Sequence, residues 1–173
     1  FARSSDDGTS NVDNKALGAM FTYSLGYHSF GLGYQKMSGD TGFAYINGTD
    51  AFLVNFVQIS DFAFKDERSW QVRYDLDMAS YGVPGLSFMT RYAFGTDADY
   101  SDANNVYMRR DENGNPLTDQ KRWERNLEVK YVFLEGSLKD LSVRVRQMTT
   151  RATAYESDLD EVRVIVEYPL QVL

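Results

Sequence analysis

Six cationic side chains recur at alternate positions of segments that read as β-strands, and cations in such a series can bind carboxylates. An arginine stays charged at physiological pH, and its planar guanidinium matches the two oxygens of a carboxylate. Several weak sites in a row attract an anion and still release it. The pattern predicts a wall that passes anionic groups from site to site, formed by Arg73, Arg91, Lys130, Arg144, Arg146 and Arg163.

A second interpretation of each cation is a hydrated side chain paired with a neighbouring carboxylate. Four acidic residues share the faces on which the cations fall, and an exposed ion pair contributes only about 0–1 kcal/mol. The cluster of cations is therefore more informative than any one member. The acidic residues are Asp75, Asp77, Glu128 and Glu167.

The elements that would position these cations are β-strands with two chemically opposite faces. In SWQVRYDLDM, residues 69–78, every second side chain from Trp70 to Met78 is apolar, and the side chains between them are polar. Similar alternation recurs in six further segments, and none shows a comparable helical period. The seven predicted strands are 16–25, 29–37, 69–78, 86–95, 122–133, 141–147 and 161–172.

The connections between the predicted strands alternate in length. Segments 26–28, 79–85 and 134–140 are short, whereas 37–65, 96–121 and 148–160 are longer and polar. Outer-membrane barrels have short turns on one rim and long external loops on the other. By the same parity, residues 1–14 form an external loop. Because seven strands is an odd number and single-chain bacterial barrels have even numbers, earlier strands are expected.

The short connections also predict which cations lie opposite each other. A turn centred near Gly82 places Arg73 opposite Arg91, and a turn centred near Ser137 places Lys130 opposite Arg144. The same register places Glu128 opposite Arg146. Directly opposed like charges are destabilising unless water or an anion intervenes.

Composition narrows the class of protein further. The chain has 173 residues, a formal net charge of -7, no Cys and a mean hydropathy of -0.44. No run approaches the ~20 apolar residues of a membrane helix, and no basic patch suits a nucleic acid. Twelve Tyr, eleven Phe and two Trp suit strands and interfacial girdles. The aromatic residues expected at the outer rim are Tyr34, Trp70, Phe94 and Trp123, and those at the inner rim are Phe30, Phe88, Phe133 and Tyr168.

Other reactive residue types do not form a recognisable site. His28 lies beside Ser29, but no third group is placed to orient the pair as a hydrolase requires. The acidic stretches 97–102 and 111–115 lack the spacing of an EF-hand loop and read as solvated loops. We therefore predict no catalytic residues, no metal site, no cofactor and no enzymatic activity. The alternatives that remain are a nonselective porin, a soluble β-sandwich binding domain and, less well supported, an outer-membrane enzyme.

Three runs, SWQVRYDLDMASYGVPGLSFMTRY, KDLSVRVRQ and VRVIVEYPLQVL, resemble the OprD-type outer-membrane carboxylate channels, or Occ family. The resemblance implies an all-β fold, a transmembrane antiparallel barrel of 18 strands in the outer membrane of Gram-negative bacteria. Residues 1–173 would be the C-terminal part of that single domain, about seven strands. It also implies passive uptake of small carboxylate-bearing solutes along a basic ladder facing an acidic pocket.

The resemblance assigns roles by position in the family's motifs. Arg144, Arg146 and Arg163 fall on ladder positions, and Asp61 falls on the acidic pocket. The family implies a monomeric pore, with loose trimers as an alternative, and an inward-folded constriction loop that we expect to precede this chain. From INGTDAFLVNFVQISDF we expect cyclic or aromatic acids ahead of basic amino acids. The expected partners are these solutes and outer-membrane lipid, with no nucleic acid.

Overall fold

The fold is one antiparallel sheet in which each strand pairs with its neighbours in sequence. The structure is a computed structural model that describes residues 2–5, 12–45, 52–101, 110–153 and 158–169, the first of these as backbone only. The sheet follows the order β1 to β8 without a crossover. The strands are β1 (Ala2–Ser5), β2 (Asp13–Leu25), β3 (His28–Ser38), β4 (Arg68–Asp77), β5 (Leu86–Ala98), β6 (Gln120–Val132), β7 (Ser142–Ala152) and β8 (Leu159–Glu167).

All seven predicted strands are present, and an eighth precedes them. The expectation of a loop over residues 1–14 is wrong for Ala2–Ser5, which pairs with β2. This four-residue strand, ARSS, has no apolar and polar alternation by which it could be recognised. With eight strands described, the odd strand count no longer supports the expectation of earlier strands. Residues 170–173 of the last predicted strand lie outside the described residues.

The predicted registers are confirmed. Arg73 is the Cα partner of Arg91, Lys130 that of Arg144, and Glu128 that of Arg146. The first of these registers follows from a compact connection that begins with a 3₁₀-helix, Met78–Tyr81. Oδ1 of Asp77 accepts the backbone N–H of Ala79 at 2.9 Å, which caps this helix and closes the hairpin.

Strand β7 is longer than the alternation indicated. It continues beyond Gln147 to Ala152, and its added residues pair with Asp160 and Leu159 of β8. The long connection predicted over 148–160 is correspondingly shorter. The pattern failed here because Gln147, Thr149 and Arg151 are polar on a face that is apolar on the other strands.

The two faces of the sheet differ in the way that the alternation predicts. Trp70 and Val72 of β4 are 41% and 57% exposed, whereas Ser69 and Gln71, which alternate with them, are 0% and 1% exposed. We call the face of Trp70 the outward face and that of Gln71 the inward face. Buried polar side chains on the inward face imply a cover, and residues 52–67 supply it. Two small apolar clusters lie beneath this cover: Ala16, Met37 and Ala63, and Val57, Phe62 and Ala93.

Aromatic side chains gather near both ends of the strands on the outward face. At the long-loop end, the rings of Tyr34 and Trp70 lie 4.5 Å apart, centroid to centroid. At the other end, the Phe30 and Tyr74 rings lie 5.1 Å apart. This arrangement is typical of two interfacial girdles. The described residues include no helix long and apolar enough to span a membrane.

Candidate functional site

The inward face carries cations at three successive levels of the strand registers. Nearest the short turns, Lys130 lies opposite Arg144. One level higher, Arg146 lies opposite both Glu128 and Arg163. Because side chains on one face recur every second residue, each level is about 7 Å above the last. The third level is the pair of Arg73 and Arg91.

The cations of the first level have few neutralising contacts. Nε of Arg144 lies 3.5 Å from Oε1 of Glu128, and its Nη2 lies 3.7 Å from Oε2 of Glu167. Both separations exceed the usual length of an N–H···O hydrogen bond, about 2.9 Å. Lys130 is half-buried and makes no ion pair with any described residue. This level can therefore accept an anion without first breaking a strong ion pair.

At the second level both arginines have a carboxylate partner. Arg146 donates from Nε to Oε2 of Glu128, and its Nη1 donates to Oε1 of Gln58 at 2.7 Å. Arg163 donates from Nε and Nη2 to Glu161, two residues before it on β8. Its side chain is still 45% exposed. Arg146 thus joins the wall to the segment that covers it, whereas Arg163 remains open to solvent.

At the third level the two opposed arginines have different environments. Arg73 donates from Nε and Nη2 to the two carboxylate oxygens of Asp75, both at 2.7 Å. Arg91 is only 8% exposed and donates from Nε to Oδ1 of Asn126 at 2.8 Å. Its Nη2 is buried and has no hydrogen-bond partner among the described residues. The pair therefore combines one neutralised cation with one that keeps a free donor.

Residues 52–67, which we call the inner loop, fold onto the inward face above these levels. Nε2 of Gln71 donates to the backbone oxygen of Val54 at 2.7 Å, and Nε2 of Gln35 donates to that of Phe62 at 2.9 Å. The inner loop is an inward-folded segment that the sequence did not predict, and the expectation that a constriction loop precedes this chain stays a prediction. The stretch 37–65 has no regular period of apolar and polar residues from which the path of this loop could be inferred.

Glu124 of β6 holds the middle of the inner loop. Its carboxylate accepts backbone N–H groups from three consecutive residues, Gln58 at 3.0 Å, Ile59 at 3.2 Å and Ser60 at 2.7 Å. Nδ2 of Asn126 donates to the same carboxylate at 2.7 Å. Glu124 is 0% exposed, so these donors replace its hydration. A loop whose amides converge on one buried carboxylate is fixed in position relative to the wall.

Arg122 of β6 holds the end of the inner loop. It donates from Nε and Nη2 to the two oxygens of Glu67, at 2.9 and 2.8 Å, in the bidentate geometry that suits a carboxylate. Its guanidinium lies 4.8 Å from the ring centroid of Phe62 and 5.0 Å from that of Phe64. Burial raises the pKa of the Glu67 carboxyl, and Arg122 opposes that rise.

Asp61, expected in an acidic pocket, lies on the inner loop within reach of Arg122. Nη2 of Arg122 donates to Oδ1 of Asp61 at 2.9 Å, and the Tyr45 hydroxyl donates to Oδ2. Partial burial, together with the Asp61 carboxylate, raises the pKa of that hydroxyl above its ordinary value. Asp61 is 28% exposed through its side chain, so it still borders open space.

Sequence reasoning missed Arg122 and Glu124, although the signal for both was present. They continue the same alternation that places Asn126, Glu128 and Lys130 on the inward face.

His28 and Ser29, which lie outside the wall, have structural contacts. Nδ1 of His28 lies 2.8 Å from the Tyr74 hydroxyl, and Ser29 pairs with the hydroxyl of Ser24, so His28 and Ser29 do not act on each other.

The sheet has an exposed apolar outward face and a charged inward face, and the inner loop folds over the inward face. These features define a section of the wall of a membrane pore. The model of the family described as outer membrane porin, OprD family, matches residues 1–172. The chain belongs to the OprD family of porins, which lie in the outer membrane of Gram-negative bacteria.

Several relatives and solved structures are similar to the chain. Porin D of Pseudomonas aeruginosa is 46% identical over 99% of this chain and 42% of its own length. Porin-like protein GalP of Pseudomonas putida is 31% identical over 97% of this chain and 38% of its own length. The crystal structure of Pseudomonas aeruginosa OpdQ is 57% identical with a TM-score of 0.81, over 96% of this chain and 41% of OpdQ. The chain thus spans about two fifths of the relatives that it matches.

Proposed function

We propose that the chain is the C-terminal part of a larger barrel, with the 18 strands that the resemblance implies, and that this barrel admits small carboxylate-bearing solutes selectively. The observation that supports the proposal is the three-level series of cations on the inward face. A carboxylate entering beneath the inner loop would meet the third level, then the second, then the first, each a short step from the last. Because most of these cations keep exposed surface, binding at each level stays weak enough for release.

The six cations would share this work unequally. Lys130 and Arg144 would attract the carboxylate most strongly, since no tight ion pair competes for them, whereas Arg91, whose unpartnered Nη2 is buried, would act at longer range. Arg73, Arg146 and Arg163 would contribute through long-range attraction, because each already has a carboxylate partner. Asp61, held by Arg122 and the Tyr45 hydroxyl, would be the acidic-pocket residue that borders the solute's path at the inner loop. Cyclic or aromatic acids, ahead of basic amino acids, are the solutes proposed, on the resemblance of the inner loop and the residues before it.

The test removes the first level without disturbing the inner loop. In the full-length porin in a planar bilayer, Lys130→Gln with Arg144→Gln should lower the benzoate-to-sodium permeability ratio by about 3- to 30-fold, taking ~0.3–1 kcal/mol per charge. Neither residue contacts the inner loop. The matched control, Lys121→Gln with Lys139→Gln, removes two cations that do not lie on this wall and should leave the ratio unchanged. An unchanged ratio in the first variant would refute the proposal.

One observation favours a nonselective porin instead. Three of the six cations form close ion pairs with carboxylates and Arg144 forms two longer ones, so the inward face is mixed in charge. A nonselective pore predicts similar permeability for benzoate and for an amine cation of equal size, such as benzylammonium. The same bilayer measurement on the unaltered porin separates the two, because the selective channel should prefer benzoate.

A further inference from the structure

A second series of cations lies on the outward face, at the long-loop end of the strands. Lys36 of β3 and Arg68 of β4 are direct Cα partners, and both side chains are exposed. On the next strand, Lys15 of β2 is exposed beside them, two register positions further toward the rim. We call Lys15, Lys36 and Arg68 the outer cationic row. It faces away from the pore, so it plays no part in the wall described above.

The outer cationic row has little internal compensation. Nε of Arg68 lies 2.9 Å from Oδ2 of Asp97, which leaves both terminal nitrogens of Arg68 without a described partner. Lys15 and Lys36 make no ion pair with any residue that the structure describes. Directly opposed like charges on neighbouring strands cost stability unless an anion lies between them. Three further carboxylates lie near the row in sequence, Asp13, Asp40 and Asp66, and none of them forms an ion pair with Lys15, Lys36 or Arg68 among the described residues.

Immediately below the row, toward the membrane, the outward face becomes aromatic. Tyr34 precedes Lys36 and Trp70 follows Arg68 by two residues on the same face, and their rings are in contact. Amphipathic rings of this kind lie at the level of lipid headgroups. The cations are therefore held at the height at which the headgroups of the outer leaflet carry their charge.

We propose that the outer cationic row binds the phosphate groups of an anionic lipid of the outer leaflet, with the Tyr34 and Trp70 rings contacting the start of its acyl chains. A phosphate between Lys36 and Arg68 would relieve their mutual repulsion and accept hydrogen bonds from both. Lys15 is placed to hold a second phosphate of the same lipid. Charge complementarity and the step from cations to rings distinguish this site from a general apolar surface.

The test uses the full-length porin in detergent and three probes. Native mass spectrometry would measure retention of a diphosphorylated glucosamine lipid, of the same lipid without phosphates, and of inorganic phosphate alone. The double substitution Lys15→Gln with Lys36→Gln should weaken retention of the diphosphorylated lipid by about 30-fold. Each cation near a charged lipid surface contributes about fivefold to the affinity. The control, Lys130→Gln with Lys139→Gln, removes the same charge from the inward face and from the short-turn end of the sheet, neither of which contacts the outer leaflet. A heat-modifiability gel verifies that each variant is folded.

The proposal predicts that only the phosphorylated lipid is retained, and that only the first double variant loses it. Equal retention of the phosphate-free lipid would overturn it, because the rings alone would then account for binding. Equal loss in the control variant would overturn it as well, since the attraction would be general. Saturable binding of inorganic phosphate with the same affinity would show an anion site that does not recognise lipid.

Discussion

The backbone N–H of Ser60 donates to Oε2 of Glu124 at 2.7 Å, and both residues are fully or almost fully buried. This contact ties the inner loop to the pore wall at its midpoint. Because a charged acceptor strengthens a hydrogen bond and burial makes its loss costly, the contact is worth more than an ordinary surface bond. The residues of β6 therefore determine the position of the inner loop as much as the residues of the loop do.

Replacing Glu124 with Gln should release the inner loop without changing the shape of the residue. Gln offers one neutral acceptor to amides that now share two charged oxygens, so we expect the free energy of unfolding to fall by about 2–4 kcal/mol. Single-channel recordings should show a noisier open current as the loop moves. Glu161→Gln, which alters a carboxylate with no contact to the loop, should leave the current quiet. A quiet current in Glu124→Gln would mean that other contacts fix the loop.

Gly95 of β5 allows the inner loop to approach the wall closely. A Cβ at this position would lie 2.7 Å from Cδ1 of Phe62, where the Arg122 and Glu67 pair also packs. Gly95→Ala should therefore lower the free energy of unfolding by about 1–3 kcal/mol. Gly31→Ala is the comparison, because its nearest neighbour is Cβ of Arg73 at 3.3 Å and no loop atom. Equal effects in thermal melts of the two variants would contradict this explanation.

Tyr45 should titrate later than an ordinary tyrosine. Its raised pKa means that folding favours the protonated hydroxyl, so this contribution to stability is present below pH ~10 and is lost only as pH rises through the higher folded value. Tyrosinate absorbance, measured against pH for the porin and for Tyr45→Phe, should differ by one late-titrating group. Tyr81→Phe, at the opposite rim, provides the control. A Tyr45 difference that appears at the ordinary pKa would show that the bond to Asp61 does not persist.

Arg91→Met should stabilise the barrel while weakening anion selectivity. The substitution removes a buried cation with an unpartnered nitrogen, and the cost of burying that charge exceeds the one hydrogen bond to Oδ1 of Asn126 that is lost. We expect a higher unfolding temperature and a lower benzoate-to-sodium permeability ratio. Arg73→Met should instead lower the unfolding temperature, because it leaves Asp75 without its bidentate partner. A lower unfolding temperature in both variants would show that the contacts of Arg91 stabilise the fold by more than its burial costs.

The sequence was sufficient for the strands and their registers, and the reason is geometric. Alternation with a period of two marks every strand whose faces meet different solvents, and short connections then fix which residues are partners. The opposition of Arg73 and Arg91 could therefore be derived before any coordinates. Strand β1 and the end of β7 were missed because the former is short and the outward residues of the latter are polar.

The inner loop could not be derived in the same way. Its contacts join residues such as Ser60 and Glu124, which are far apart in sequence and are not linked by any repeating pattern. Arg122 could have been placed on the inward face by parity, but its partner Glu67 could not. Irregular backbone finds its place through individual hydrogen bonds, and these are specified only by the folded sheet.

The fastening of the inner loop also bears on how selectivity can change between related porins. Glu124 and Arg122 of the wall bind the loop, and the absence of a side chain at Gly95 makes room for it. The loop is therefore not an exchangeable module. A graft of residues 52–67 alone would carry the amides without their acceptor into any family member that lacks a carboxylate at the position of Glu124. Exchange of pore properties therefore requires that loop and wall be inherited together, as one unit formed from distant parts of the chain.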